Sequence, residues 1–159
     1  MTRNQMAGFV GRFPRTVHGH TMSAPAMPAE VALALSRYPV RVREQLLDIR
    51  LMIFATASAT AGVGALSETL KWGEPAYLTE QTRSGTTIRL GVSKLAPDRG
   101  AVFFNCRTNL VENFRTHFAD TFDFLGNRAL IVPASVRLEE TPLSLCLRMA
   151  LTYHRRDNA

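Results

Sequence analysis

Lys71-Trp72-Gly73-Glu74-Pro75-Ala76-Tyr77 marks where the chain changes its periodicity, and the fold follows from that change. Before it, apolar residues recur at three- and four-residue intervals; after it, they alternate. The stretch holds the only tryptophan and one of two lysines, with Gly73 and Pro75 constraining the backbone on either side of Glu74. Gly73 permits a turn without a Cβ clash, while Pro75 removes a donor and holds the chain extended. Glu74 is therefore expected between two stiff points.

Upstream, Pro28 and Pro39 each suit the first turn of a helix, where a missing N–H costs nothing. Val31 and Leu35 share one face of the first helix. In the second, Val42, Leu46, Ile49 and Ile53 form an apolar stripe widened by Leu47 and Phe54, with Arg41, Arg43, Glu44 and Asp48 mainly opposite. Gly62 and Gly64 end it, and a short third helix is expected over residues 65–70.

Downstream, residues 76–80 and 86–93 read as a hairpin around Arg83-Ser84-Gly85. Ile88, Leu90 and Val92 point one way, and Thr87, Arg89 and Ser93 the other. Pro97-Asp98-Arg99-Gly100 reads as a turn, and residues 101–106 as an apolar central strand. Asn109 with Glu112 is a capping signature for a helix running to Phe118. Residues 122–125 and 128–132 suggest a second hairpin about a two-residue Gly126-Asn127 turn. Thr141 and Pro142 start a last helix lined by Leu143, Leu147 and Leu151. The predicted class is α+β: a single, largely antiparallel five-stranded sheet over residues 28–156, with helices from both chain ends on one face.

Composition narrows the function classes. The net charge is +6, yet the first 29 residues carry Arg3, Arg12 and Arg15 and no acid. Residues 1–27 therefore read as a poorly ordered basic arm, with Met22 or Met27 as alternative natural starts. Basic residues do not interleave with aromatics elsewhere, so nucleic acid is a poor partner. No apolar run approaches the roughly 20 residues of a membrane span, and no membrane partner is expected. Cys106 and Cys146 both lie among large apolar residues, predicting two buried, reduced thiols and a cytoplasmic protein. His18 and His20 form an H-x-H pair without further ligands, and no cofactor or metal is expected. His154, on the last helix, is expected half-buried.

The Lys71-Trp72-Gly73 motif with Pro75 and Tyr77, the Ile88-Arg89-Leu90-Gly91 and Ala101–Cys106 strands and the Gly126-Asn127-Arg128-Ala129 hairpin resemble the YdhG-like domain family over about residues 39–154. The resemblance implies a compact α+β domain, distantly likened to frataxin-type iron chaperones, and carries over no catalytic residue. Iron delivery needs carboxylates gathered on a surface. Here Glu44 and Asp48 are neighboured by Arg41, Arg43 and Arg50, which argues against an iron carrier.

Trp72, Glu74, Tyr77 and Arg89 are the candidate ligand-binding residues, expected to converge on one concavity at the end of the sheet. The aromatic rings would supply flat walls, and Glu74 and Arg89 would orient a small polar ligand. The expected function is a non-catalytic binding or chaperone-like module for a small polar ligand or a protein partner; a homodimer is compatible. The alternatives are a small enzyme using Glu74 as general base and the frataxin-like carrier.

Overall fold

The computed structural model describes residues 16–17, 20–21 and 23–155. Two short strands, β1 (Thr16–Val17) and β2 (His20–Thr21), pair antiparallel. Helices α1 (Ala29–Ser36) and α2 (Val40–Ala59) begin directly after Pro28 and Pro39, as the sequence predicts. The third helix does not form. Its residues make β3 (Ser67–Lys71), which turns at Trp72-Gly73 into β4 (Glu74–Leu78). Trp72 and Gly73 have φ of 55° and 74°. Two consecutive positive values are those of a type I′ turn, whose twist matches a hairpin.

Beyond it run β5 (Ile88–Ser93), β6 (Ala96–Phe103), α3 (Leu110–Phe118), β7 (Asp123–Leu125), β8 (Ala129–Ile131) and α4 (Leu143–Leu151). The main sheet is open and antiparallel, ordered β3-β4-β5-β6-β8-β7. It has six strands among the described residues, one more than expected, because β3 replaces a helix. The Pro97–Gly100 turn is also displaced. These residues lie inside β6, and the reversal occurs at Lys94-Leu95, where Ser93 Oγ accepts from the Leu95 N–H at 3.1 Å. Strand β8 reaches only to Ala101, so Pro97 withholds no bond from that neighbour. The β7–β8 loop has three residues, not two, since Leu125 pairs with Ala129. Asn109 stands before α3 without making a side-chain cap bond.

One core unites the sheet with the helices. Val31 and Leu35 of α1, Ile49 and Ile53 of α2, Phe114 of α3 and Leu147 of α4 share a cluster with Tyr77, Ile88, Leu90, Val102 and Leu130. A much smaller cluster of Ala96, Ala101 and Ile131, with Phe103 against it, involves β6 and β8 only. Ala24 and Met27, assigned to the arm by sequence, pack against the main core. Residues 1–15 of that arm lie outside the described residues.

The two cysteines part company. Cys146 is buried, and burial pushes its thiol up to about 12. Cys106 is exposed, a correction to the expectation of two buried thiols. Strand β6 ends at Phe103, and the chain then turns with Asn105 Oδ1 accepting from the Arg107 N–H at 3.0 Å, which takes Cys106 out of the apolar run. A thiol reagent should modify one cysteine per folded chain within minutes and the second only on unfolding. Two fast thiols, or none, would contradict this placement.

Candidate functional site

The β3–β4 hairpin and its neighbour β5 position the candidate side chains. Ala76 pairs with Arg89 and Tyr77 with Ile88, so Arg89 and Tyr77 point to opposite faces. Continuing that register sets Glu74 beside Gly91. Glu74 Oε1 accepts from Arg89 Nη1 at 2.9 Å. Its other oxygen, Oε2, lies in the space that a Cβ on Gly91 would fill, and the Tyr38 hydroxyl is 3.4 Å from the same point. Glycine at 91 is thus what admits the carboxylate. Arg89 also sits over the ring of Phe103, its cross-strand partner, at 5.4 Å.

The pair is only partly shielded, with 23% of the Glu74 and 27% of the Arg89 side chain exposed. Burial pushes the Glu74 carboxyl above the usual carboxylate range, and Arg89 pulls it only partly back. Tyr38 is pushed up, first by burial and then by the Glu74 charge. A carboxylate and a guanidinium so placed can meet a polar group at the rim without leaving the sheet.

The other two candidates go elsewhere. Trp72 is at the hairpin tip, 90% exposed, and walls no concavity. Tyr77 is fully buried on the helix face, edge-on to Phe54 with ring centroids 5.7 Å apart. Of the four residues expected to converge, the structure joins Glu74 and Arg89, leaves Trp72 two residues before Glu74 but projecting, and puts Tyr77 through the sheet.

Beside Tyr77 lies a polar cluster that the sequence reading did not single out. Arg50 Nε and Nη2 donate to both oxygens of Glu68 at 2.6 and 2.8 Å, and Nη2 also donates to the Pro25 carbonyl at 2.8 Å. Each side chain of this pair is 6% exposed. The Tyr77 hydroxyl is buried against the pair without a hydrogen bond of good geometry, and its pKa is pushed up by burial and by Glu68. A signal was present: Leu46, Arg50 and Phe54 recur at i+4, which puts Arg50 on the inward face of α2.

A groove of about 540 Å³, whose lining does not include Glu74, is formed by Arg41, Glu44 and Asp48 of α2 and by Arg137 and Glu139. Its charges are mixed, and Arg137 is held by Glu139 and Glu140. Among the described residues no group of three or more His, Cys, Asp and Glu side chains could hold a metal ion. The His18–His20 pair lies outside the residues whose side chains are described. The side chain of His154 is exposed, not half-buried; its backbone N–H donates to the Ser84 carbonyl at 2.8 Å. No described helix is long and apolar enough to cross a membrane. No protein-family model, curated protein or solved structure matches the chain.

Proposed function

We propose that this chain is a non-catalytic binding module that engages a partner surface through the hairpin end of its sheet, with Trp72 as the anchor. One observation carries the reading: the only tryptophan is held at φ 55° and is 90% exposed. A side chain with a Cβ costs roughly 1–2 kcal/mol in the left-handed region, and type I′ turns favour Asn, Asp or Gly there. Nothing in the fold is repaid for that strain, because Trp72 is not in the core. Strain combined with an exposed aromatic is what a recognition residue leaves behind. Glu74 and Arg89, directly below the tip, add a polar pair at the contact. The YdhG-like resemblance supplies no residue role, so the reading rests on Trp72. The free thiols fit a reducing, cytoplasmic setting. A second reading, an enzyme with Glu74 as general base, draws on the carboxyl raised by burial, but Arg89 already occupies one of its oxygens.

Trp72→Asn should raise the unfolding free energy by about 1 kcal/mol, since Asn tolerates this turn position. Urea unfolding followed by circular dichroism measures it, and a loss of stability would show that Trp72 serves the fold. Binding is tested by replacing the single tryptophan with 5-fluorotryptophan, which gives one fluorine resonance. It should broaden or shift when whole extract of the source cells, membranes included, is added. A resonance that stays sharp and unmoved would refute the anchor.

A further inference from the structure

We propose that the hairpin end of the sheet docks on an anionic lipid bilayer, with Trp72 and Leu95 entering the headgroup layer and Lys71 and Lys94 beside them at the phosphates. The proposal rests on the reading of Trp72 as an anchor and names its partner. In an antiparallel order β3-β4-β5-β6, the β3–β4 and β5–β6 turns must lie at the same end and the β4–β5 connection at the other. Strands β4 and β5 are neighbours, about 5 Å apart, so the two tips stand side by side.

The tips have the same make-up. Each presents a lysine followed by a large apolar residue, and Lys71 and Lys94 are the only lysines in the chain. Trp72 and Leu95, 90% and 81% exposed, are the most exposed large apolar side chains among the described residues. The start of α2 belongs to the same end, because Tyr38 reaches the Gly91 position of β5. It adds Val40, 59% exposed, between the exposed Arg37 and Arg41.

Shape and charge select the occupant. A stable protein partner needs a continuous patch of about 800 Å² per side. Here single side chains project separately from two turns, and a bilayer yields to isolated points as a folded protein surface does not. Tryptophan favours the membrane interface, and lysine stems lie along apolar matter while their ammonium groups reach the headgroups. The chain's +6 charge complements an anionic surface. The expectation of no membrane partner rested on the lack of a spanning segment, which bears on crossing; surface docking needs none.

The test uses the full chain with vesicles of phosphatidylcholine alone and of equal parts phosphatidylcholine and phosphatidylserine. Trp72 emission should move to the blue, and the protein should sediment, with the anionic vesicles only. Lys71→Gln and Lys94→Gln should each weaken binding about fivefold, and Trp72→Ala and Leu95→Ser each about tenfold or more. All four positions are exposed, and circular dichroism of each variant checks the fold. Absence of sedimentation with anionic vesicles overturns the proposal. So does binding that leaves the emission unshifted or survives all four substitutions, because another basic surface would then carry it. If vesicles fail while the soluble part of the extract broadens the fluorotryptophan resonance, the bilayer is wrong and Trp72 anchors a protein.

Discussion

Arg50→Ala is expected to cost about 3–5 kcal/mol of stability, the range for breaking a buried ion pair by removing one partner. Both side chains of the Arg50–Glu68 pair are 6% exposed, so the carboxylate left behind cannot be solvated without opening the α2–β3 contact. The guanidinium has three further roles that alanine does not replace. It donates to the Pro25 carbonyl, holding the segment before α1. It lies over the Phe54 ring at 5.0 Å, and it covers the buried Tyr77 hydroxyl. The double replacement Arg50→Met with Glu68→Leu removes both charges and should recover most of the loss, because an apolar pair of similar volume often matches a buried salt bridge. Urea denaturation followed by circular dichroism measures both. A loss below about 1 kcal/mol for Arg50→Ala is the value of a solvated pair and would contradict the burial described.

Gly85→Ala should be comparably damaging, about 3 kcal/mol or more, through overpacking against backbone. A Cβ at Gly85 would stand 2.5 Å from the Ala150 carbonyl oxygen and from the Leu151 Cα, atoms of α4 that cannot rotate away. The approach is close because the β4–β5 loop and the end of α4 exchange hydrogen bonds. The Thr86 N–H donates to the Ala150 carbonyl at 2.9 Å, and Ser84 Oγ to the Leu151 carbonyl at 2.8 Å. Moving the loop aside to admit a methyl group would break both. Gly91→Ala is the instructive contrast, since the atoms nearest its Cβ belong to the Glu74 and Tyr38 side chains, which can swing. It should cost less than Gly85→Ala. Equal losses for the two would show that backbone contact is not what distinguishes them.

The helices were legible because their signals are local: Pro28 and Pro39 mark starts, and Val42, Leu46, Ile49 and Ile53 mark an inward stripe. Strand β3 was hidden by Glu68. It pairs across with Tyr77 on the inward face, where a carboxylate reads as an error in alternation. Arg50 looks equally misplaced on the inward side of α2. Each polar residue explains the other only once the two elements pack, so neither could be read from its own segment. The Lys94-Leu95 turn was hidden because it contains neither Gly nor Asn, and the nearby Pro97–Gly100 run has the composition of a turn without being one. Within the candidate site, the Glu74–Arg89 pair followed from strand geometry. The placement of Trp72 did not, because tryptophan is common in cores and rare at the first position of a type I′ turn.

The clasp between the β4–β5 loop and α4 also bears on how the protein is made. On the ribosome, the loop emerges well before residues 143–155, which supply the Ala150 and Leu151 carbonyls and the His154 N–H that it binds. At synthesis rates of about 5–20 residues per second, the β3–β6 meander waits several seconds with that loop unclasped. Over the same interval the core that holds Ile88, Leu90 and Val102 lacks Leu143, Cys146, Leu147 and Leu151 of α4. The nascent core, already covered in part by α1 and α2, thus stays incomplete until residues 143–155 have left the exit tunnel.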